Sequence, residues 1–210
     1  MRKIILLAVI LLGSRVLKAQ TYFNGDRAGY NNFYETKFGF EADATISNTT
    51  DGTNFTTGNL AGFSLGFNVA LPAIEPMSIM PALLYAQKGY TANTPSGTFS
   101  QRSQSVDIPV MAKFNTGGRL KFFIGPQVSF ILSTSNKFSN SFPVAMRKNY
   151  QYSGTNIRYQ GVAGAGLDLT RSISIHALYT FDLQRTNKSA SNFVPSYRQQ
   201  ALLLGLGFNL

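Results

Sequence analysis

Residues Ser172 to Gln184 read SISIHALYTFDLQ, and the fold is decided in this stretch. Side chains of an extended chain alternate between two faces, so Ile173, Ile175, Ala177, Tyr179, Phe181 and Leu183 share one face, and Ser174, His176, Leu178, Thr180 and Asp182 the other. An amphipathic helix would instead repeat every three to four residues, and no such repeat is present.

The same alternation recurs along the chain. In Thr36 to Ile46, Phe38, Phe40, Ala42, Ala44 and Ile46 oppose Lys37, Gly39, Glu41, Asp43 and Thr45. Leu60 to Leu71, Gln104 to Phe114, Leu120 to Leu132, Arg158 to Thr170 and Arg198 to Leu210 each repeat it, while Met77 to Tyr90 is apolar on both faces as far as Lys88. With the opening stretch this makes eight strands of about ten or more residues. That is longer than the five or six usual in globular sheets and matches the nine to eleven of a tilted membrane-crossing strand. The connections alternate too. Pro72 to Pro76, Thr116 to Arg119 and Thr170 to Arg171 are short, whereas Ser47 to Asn59, Thr91 to Ser103, Ser133 to Ile157 and Arg185 to Tyr197 are long and polar. Short turns at one end and long loops at the other are the asymmetry of an outer-membrane barrel, with turns periplasmic and loops outside. The expected fold is therefore all-β, an eight-stranded antiparallel up-and-down transmembrane β-barrel.

Composition agrees. The 210 residues are 44% hydrophobic and only 13% charged, against about a quarter charged in soluble domains. The one long apolar run, Ile4 to Leu12, is too short to span a bilayer as a helix. It follows Arg2 and Lys3 and precedes Ala19-Gln20, the layout of a secretory signal peptide cleaved after Ala19. The expected organisation is a signal peptide over 1–19, a periplasmic lead-in over 20–35 and the barrel over 36–210. With no cysteine, neither a disulfide framework nor a lipid-attachment site is available. The net charge of +10 falls to +6, 15 basic against 9 acidic residues, once Arg2, Lys3, Arg15 and Lys18 leave with the signal.

Alternation by itself fits a soluble lipocalin- or avidin-type barrel equally well. The polar face separates the two: it is rich in Gly, Ser, Thr and Asn rather than in Lys and Glu, which suits the confined interior of an eight-strand barrel and not a water-facing surface. The bulky Phe and Leu face then meets lipid.

Several segments carry a resemblance. Tyr85-Ala86-Gln87-Lys88-Gly89, Val106-Asp107-Ile108-Pro109-Val110, Phe123-Ile124-Gly125-Pro126 and the glycine-alternating run from Gly161 to Gly166 resemble, in order and spacing, the outer-membrane β-barrel domain family that includes PorT-like proteins. The likeness covers the chain after about residue 35. Two positions depart from it: Ala82 stands where the family often has a lumenal glutamate, and Leu210 replaces a terminal aromatic. The resemblance implies accessory service to a secretion or envelope assembly, with a protein of that assembly as partner.

The phases place Lys37, Glu41, Asp43, Lys88, Asp107, Lys113, Arg158, Asp168, His176 and Asp182 in the lumen. A lone buried charge costs several kcal/mol, so these are expected to form a polar network that plugs the barrel. The alternative is a small channel. His176 is the only histidine and supplies neither a metal set nor a catalytic triad, so no enzyme, cofactor or metal is expected. Pro109 and Pro126 fall close together on adjacent strands and lack an N–H, which predicts a gap in the ladder there.

Arg102, Lys137, Arg147, Lys148, Arg185, Lys188 and Arg198 form a basic outer rim, beside which Arg158 also stands. Lipopolysaccharide phosphates lie in that leaflet and are the expected electrostatic partner. Tyr90, Tyr150, Tyr152, Tyr159 and Tyr197 fit an interfacial aromatic belt. Nucleic acid is not an expected partner, since the positive charge is scattered over loops. The sequence thus points to a non-enzymatic outer-membrane barrel with a structural or envelope-accessory role.

Overall fold

The computed structural model of the chain describes residues 35–50, 56–94, 97–139, 156–170, 172–185 and 197–209. The expected signal peptide, and the expected lead-in up to residue 34, lie outside them.

Among the described residues nine strands form one antiparallel sheet: β1 (Lys37–Thr50), β2 (Thr56–Gly58), β3 (Leu60–Ile74), β4 (Met77–Thr94), β5 (Gly97–Asn115), β6 (Leu120–Phe138), β7 (Ile157–Asp168), β8 (Ile173–Asp182) and β9 (Arg198–Asn209). From β3 to β9 each strand pairs with the next in sequence, and β1 pairs with β3. The first and last also pair, from Gly39 opposite Asn209 to Thr50 opposite Arg198, which closes the ring. The short β2 takes up the line of β3 after Asn59 and pairs with β4 through Thr56 to Gly58 opposite Asn93 to Thr91. The ring therefore has eight positions. Closure leaves no edge, so the backbone groups of the wall can be satisfied without water.

Exposure decides which face looks outward. Phe67 is 66% exposed, and Phe63, Ile175 and Phe181 are 38–39% exposed, whereas Glu41, Asp43 and Asp107 are 5% or less. A soluble barrel would bury the first set. On β5 the outward apolar positions run from Val106 to Phe114, roughly 27 Å of strand at about 3.4 Å per residue and roughly 20 Å along the axis after tilt. This is comparable to the band of known transmembrane barrels. Among the described residues no helix is long and apolar enough to cross a membrane.

The short-turn end is tighter than expected, because β3 runs on to Ile74 and leaves only Glu75 and Pro76 before β4. Between β5 and β6, Gly117 adopts φ +78°, a left-handed conformation that costs glycine nothing. Thr170 closes the β7–β8 turn, its Oγ1 accepting from the backbone N–H of Ser172 and Ile173.

The long-loop end differs from the sequence reading. Thr91 to Thr94 and Gly97 to Ser103 are strand rather than loop: β4 and β5 continue through them, paired as far as Thr94 opposite Gly97. Likewise β1 extends to Thr50 and β6 to Phe138. Ser, Thr and Asn here carry no apolar face, so the pattern that marks a lipid-facing strand vanishes although the ladder goes on. On β6 the register shifts between Gln104 and Ser105 of β5, leaving Leu132 as an extra residue. This bulge reverses the facing of β6, so that Phe138 pairs with Phe99 on the inner side.

The ladder is interrupted where prolines lie. Between Pro109–Gln127 and Ala112–Ile124 no pair forms, which leaves Val110 and Met111 unpaired with Pro126 and Gly125. A similar interruption separates Pro81–Val110 from Leu84–Asp107 on the β4–β5 side.

Candidate functional site: the charged lumen

The ten charged residues expected in the lumen, Lys37, Glu41, Asp43, Lys88, Asp107, Lys113, Arg158, Asp168, His176 and Asp182, all lie on the inward parity of their strands. They do not form one network. An apolar slab divides them.

The slab packs Met80, Met111, Val162, Leu178 and Leu203 together with Ala70, Ala201 and the partly buried Phe123. Its residues come from every strand from β3 to β9, so the packing crosses the lumen. Met111 has no exposed surface at all. Met80 and Leu84 belong to the strand whose two faces were both apolar in sequence, and their inward turn explains that pattern: β4 supplies lipid-facing Ile79, Leu83 and Tyr85 and also part of the interior fill.

Above the slab, toward the long-loop end, polar groups are closely matched. Lys88 Nζ donates to Asp107 Oδ2 at 2.7 Å, and Ser105 and Ser129 donate to Oδ1 of the same carboxylate at 2.8 and 2.5 Å. Beside it Gln127 Nε2 donates to Gln160 Oε1 at 2.6 Å, and Gln160 Nε2 to Asp182 Oδ1 at 2.7 Å. The backbone N–H of Gln199 donates to Asp182 Oδ2 at 2.9 Å, and Arg158 stands 3.8 Å from that oxygen while donating to Gln199 Oε1. Arg158 thus serves the lumen and not the outer rim. Over this layer Tyr90, Phe99 and Tyr197 pack edge to face, Phe138 packs on Phe99, and the Tyr197 hydroxyl donates to Gln101 Oε1. Tyr90 and Tyr197 are therefore not part of an interfacial belt. They share inward parity with Lys88 and Gln199 and close the interior from above. Tyr159 faces outward as expected, and Tyr150 and Tyr152 lie outside the described residues.

Below the slab, toward the short turns, His176 Nε2 lies 2.6 Å from Asp43 Oδ1. The two are not on adjacent strands. Gly205 of β9 stands between, paired with Asp43 on one side and His176 on the other, and a Cβ there would collide with both. Glycine at 205 is what lets the contact form; Gly166, opposite His176 on β7, leaves room for the ring from the other side. Asn68 Nδ2 donates to Glu41 Oε2 at 3.0 Å, and Lys121 is bridged to Asp168. Lys121 was not among the expected lumenal residues, although its parity with Phe123 and Gln127 signals it. The neutral partners Asn68, Gln127, Gln160 and Gln199 were missed for a different reason: amides carry no charge imbalance that demands a partner.

Of the expected rim, Arg102, Lys137, Arg185 and Arg198 are exposed, whereas Arg147, Lys148 and Lys188 lie outside the described residues. Arg102 Nη1 donates to Gln87 Oε1 on the outer wall. Every described acidic residue within the strands, Glu41, Asp43, Asp107, Asp168 and Asp182, is on the inward parity. Among the described residues no group of His, Cys, Asp and Glu is arranged to hold a metal ion.

A family model described as "Outer membrane protein beta-barrel domain" matches residues 19–186. No curated protein matches the sequence. Among solved structures, Neisserial surface protein A is 19% identical with a TM-score of 0.51, the match covering 84% of this chain and 99% of that one. The attachment invasion locus protein Ail of Yersinia pestis is 10% identical with a TM-score of 0.48, over 84% and 99% of the two chains. Outer membrane protein W of E. coli is 13% identical with a TM-score of 0.45, over 83% and 97%.

Proposed function

The chain belongs to the outer membrane protein β-barrel domain family and sits in the outer membrane, and from that premise we propose that it is a non-conducting, non-enzymatic barrel that serves the envelope as a structural or accessory part. The observation that carries this reading is the apolar slab of Met80, Met111, Val162, Leu178 and Leu203 across the lumen, with the Lys88–Asp107 and Arg158–Asp182 groups packed above it. An ion entering the slab would lose its hydration with no polar group to replace it. Together slab and network plug the barrel.

The outer wall supports the partner reading. Arg102, Lys137, Arg185 and Arg198 project outside while the strand carboxylates are turned inside, so the described outer surface at the long-loop end is cationic. Such a surface attracts the phosphates of lipopolysaccharide, with a strength that falls as salt rises. The likeness of Tyr85 to Gly89 and Val106 to Val110 to PorT-like proteins extends the proposal to an accessory role in a secretion or envelope complex.

Single-channel recording on purified protein in planar bilayers tests the plug. The expected trace is closed, and a steady conductance overturns the reading. Affinity purification from native membranes tests the accessory role; recovery of lipid alone, with no envelope protein, overturns it.

A further inference from the structure

The outer wall of β4, β5 and β6 changes character at one level. Tyr85, Val106 and Phe130 pair across the three strands as the last paired apolar row facing outward. The next outward rows are polar: Gln87, Gln104 and Ser133, then Gly89, Arg102 and Ser135, then Thr91, Ser100 and Lys137. Two residues of strand advance about 7 Å, or about 5 Å along the axis after tilt. The first polar row therefore stands at the height of the outer leaflet's head groups, and the rows above it in the sugar layer.

Arg102 is turned down toward that boundary. Its pairing partner on β4 is Gly89, which has no side chain to stand in the way, and its Nη1 donates at 3.0 Å to Oε1 of Gln87, two residues nearer the membrane. That bond holds one arm of the guanidinium, while the side chain as a whole stays exposed. Lys137 projects from the same face of β6, opposite Ser100 and one row above Arg102. Beside them Ser133 donates to Gln104 Oε1 at 3.1 Å, so Gln87 and Gln104 bring two amides to the row below the guanidinium's own strand position. Among the described residues neither cation forms an ion pair, and the carboxylates of the strands are all turned inward.

A ligand that meets this arrangement carries an anionic group at the membrane boundary and hydroxyls above it. We infer that Arg102 and Lys137 clamp one phosphate of the lipid A disaccharide of lipopolysaccharide. Gln87 and Gln104 stand beside that phosphate, and the hydroxyls of Ser135, Ser100 and Thr91 face the sugars above. The inference rests on the lipopolysaccharide part of the function proposed above and narrows it from a diffuse cationic surface to a site for a single lipid. Arginine's planar fork meets a phosphate through two parallel bonds, whereas a diffuse field makes every exposed cation equivalent. A glycerophospholipid supplies the phosphate but not the sugars, and the upper rows leave it unmatched.

Native mass spectrometry of the protein released from detergent micelles counts the lipids that stay bound. The probes are deep-rough lipopolysaccharide, the same molecule stripped of its phosphates, and phosphatidylglycerol. One copy of the phosphorylated lipopolysaccharide is expected to be retained, at least about tenfold more tightly than either comparison lipid. Arg102→Gln should weaken that retention about tenfold and Lys137→Gln about threefold. Arg185 lies beyond the end of β8, three positions round the ring from β5. At about 4.8 Å per strand its charge is more than a Debye length from Arg102, so Arg185→Gln should weaken retention less than about twofold. Folding of each variant is checked by heat-modifiable mobility, and the comparison of lipids on the wild type needs no variant. Equal losses at all three positions, or phosphatidylglycerol held as tightly, overturn the site and leave the cationic surface of the proposed function in force. No retention of the phosphorylated lipid, or equal retention of the stripped one, overturns both.

Discussion

Lys88 with Asp107, and Glu41 below the slab, occupy the same lumen on the inward parity of their strands, yet the Asp107 carboxylate is fully matched and the Glu41 carboxyl is not. The upper carboxylate meets an ammonium and two hydroxyls, while the lower one meets a single amide and a cavity. Position along the axis accounts for the difference. The upper layer is shut between the slab and the aromatic cap, where an unmatched carboxylate is costly, and the oxygens of Asp107 and Asp182 all find donors within the protein. The lower layer lies beside a cavity at the short-turn end, and there Glu41 Oε1, Asp43 Oδ2 and Asp168 Oδ1 have no protein partner among the described residues.

That contrast can be broken most forcefully at Lys88. Lys88→Met strands the Asp107 carboxylate and is expected to lower unfolding free energy by about 3–5 kcal/mol, read from urea unfolding in detergent. If Lys88→Met combined with Asp107→Leu recovers most of that loss, the cost belongs to the unpaired ion rather than to the missing bond. Ser129→Ala removes one of the two hydroxyl donors to the same carboxylate and should cost about 1.5–3 kcal/mol in the same assay. Gly205→Ala forces the Asp43–His176 contact apart, but the ring has the open cavity beside it, so a loss of about 1 kcal/mol is expected, at the low end of overpacking. Smallest is Glu41→Gln, which keeps an oxygen for Asn68 and should move stability by less than about 1 kcal/mol. A Glu41→Gln loss as large as that of Lys88→Met would erase the distinction between the layers.

Much of the wall was legible in the sequence. The alternation from Ser172 to Gln184 fixed which side of β8 faces lipid, and the proline pair marked the interruption near Pro109 and Gln127. Less legible was the height of the barrel. From Thr91 to Ser103 only Ala92, Pro95 and Phe99 interrupt a polar run, too few to mark an apolar face that would separate a strand from a loop. Tyr90 and Tyr197 were misplaced for a related reason: a tyrosine suits both an interface and an interior, and only the parity of Lys88 and Gln199 assigns it. The slab was hidden because Met80 looks like a surplus lipid-facing residue until β4 is set opposite β8 and β9.

The period of two, joined to bulky residues on one face and small or charged ones on the other, determined by itself that this chain closes into a membrane barrel with its strand carboxylates inside. Each strand carries that information locally, in its own side-chain sizes. Tertiary structure alone decided which ion meets which. A slide of any strand by two residues keeps every face correct and changes every partner, so contacts such as His176 with Asp43, 133 residues apart, exist only once β1 has closed on β9 in one register.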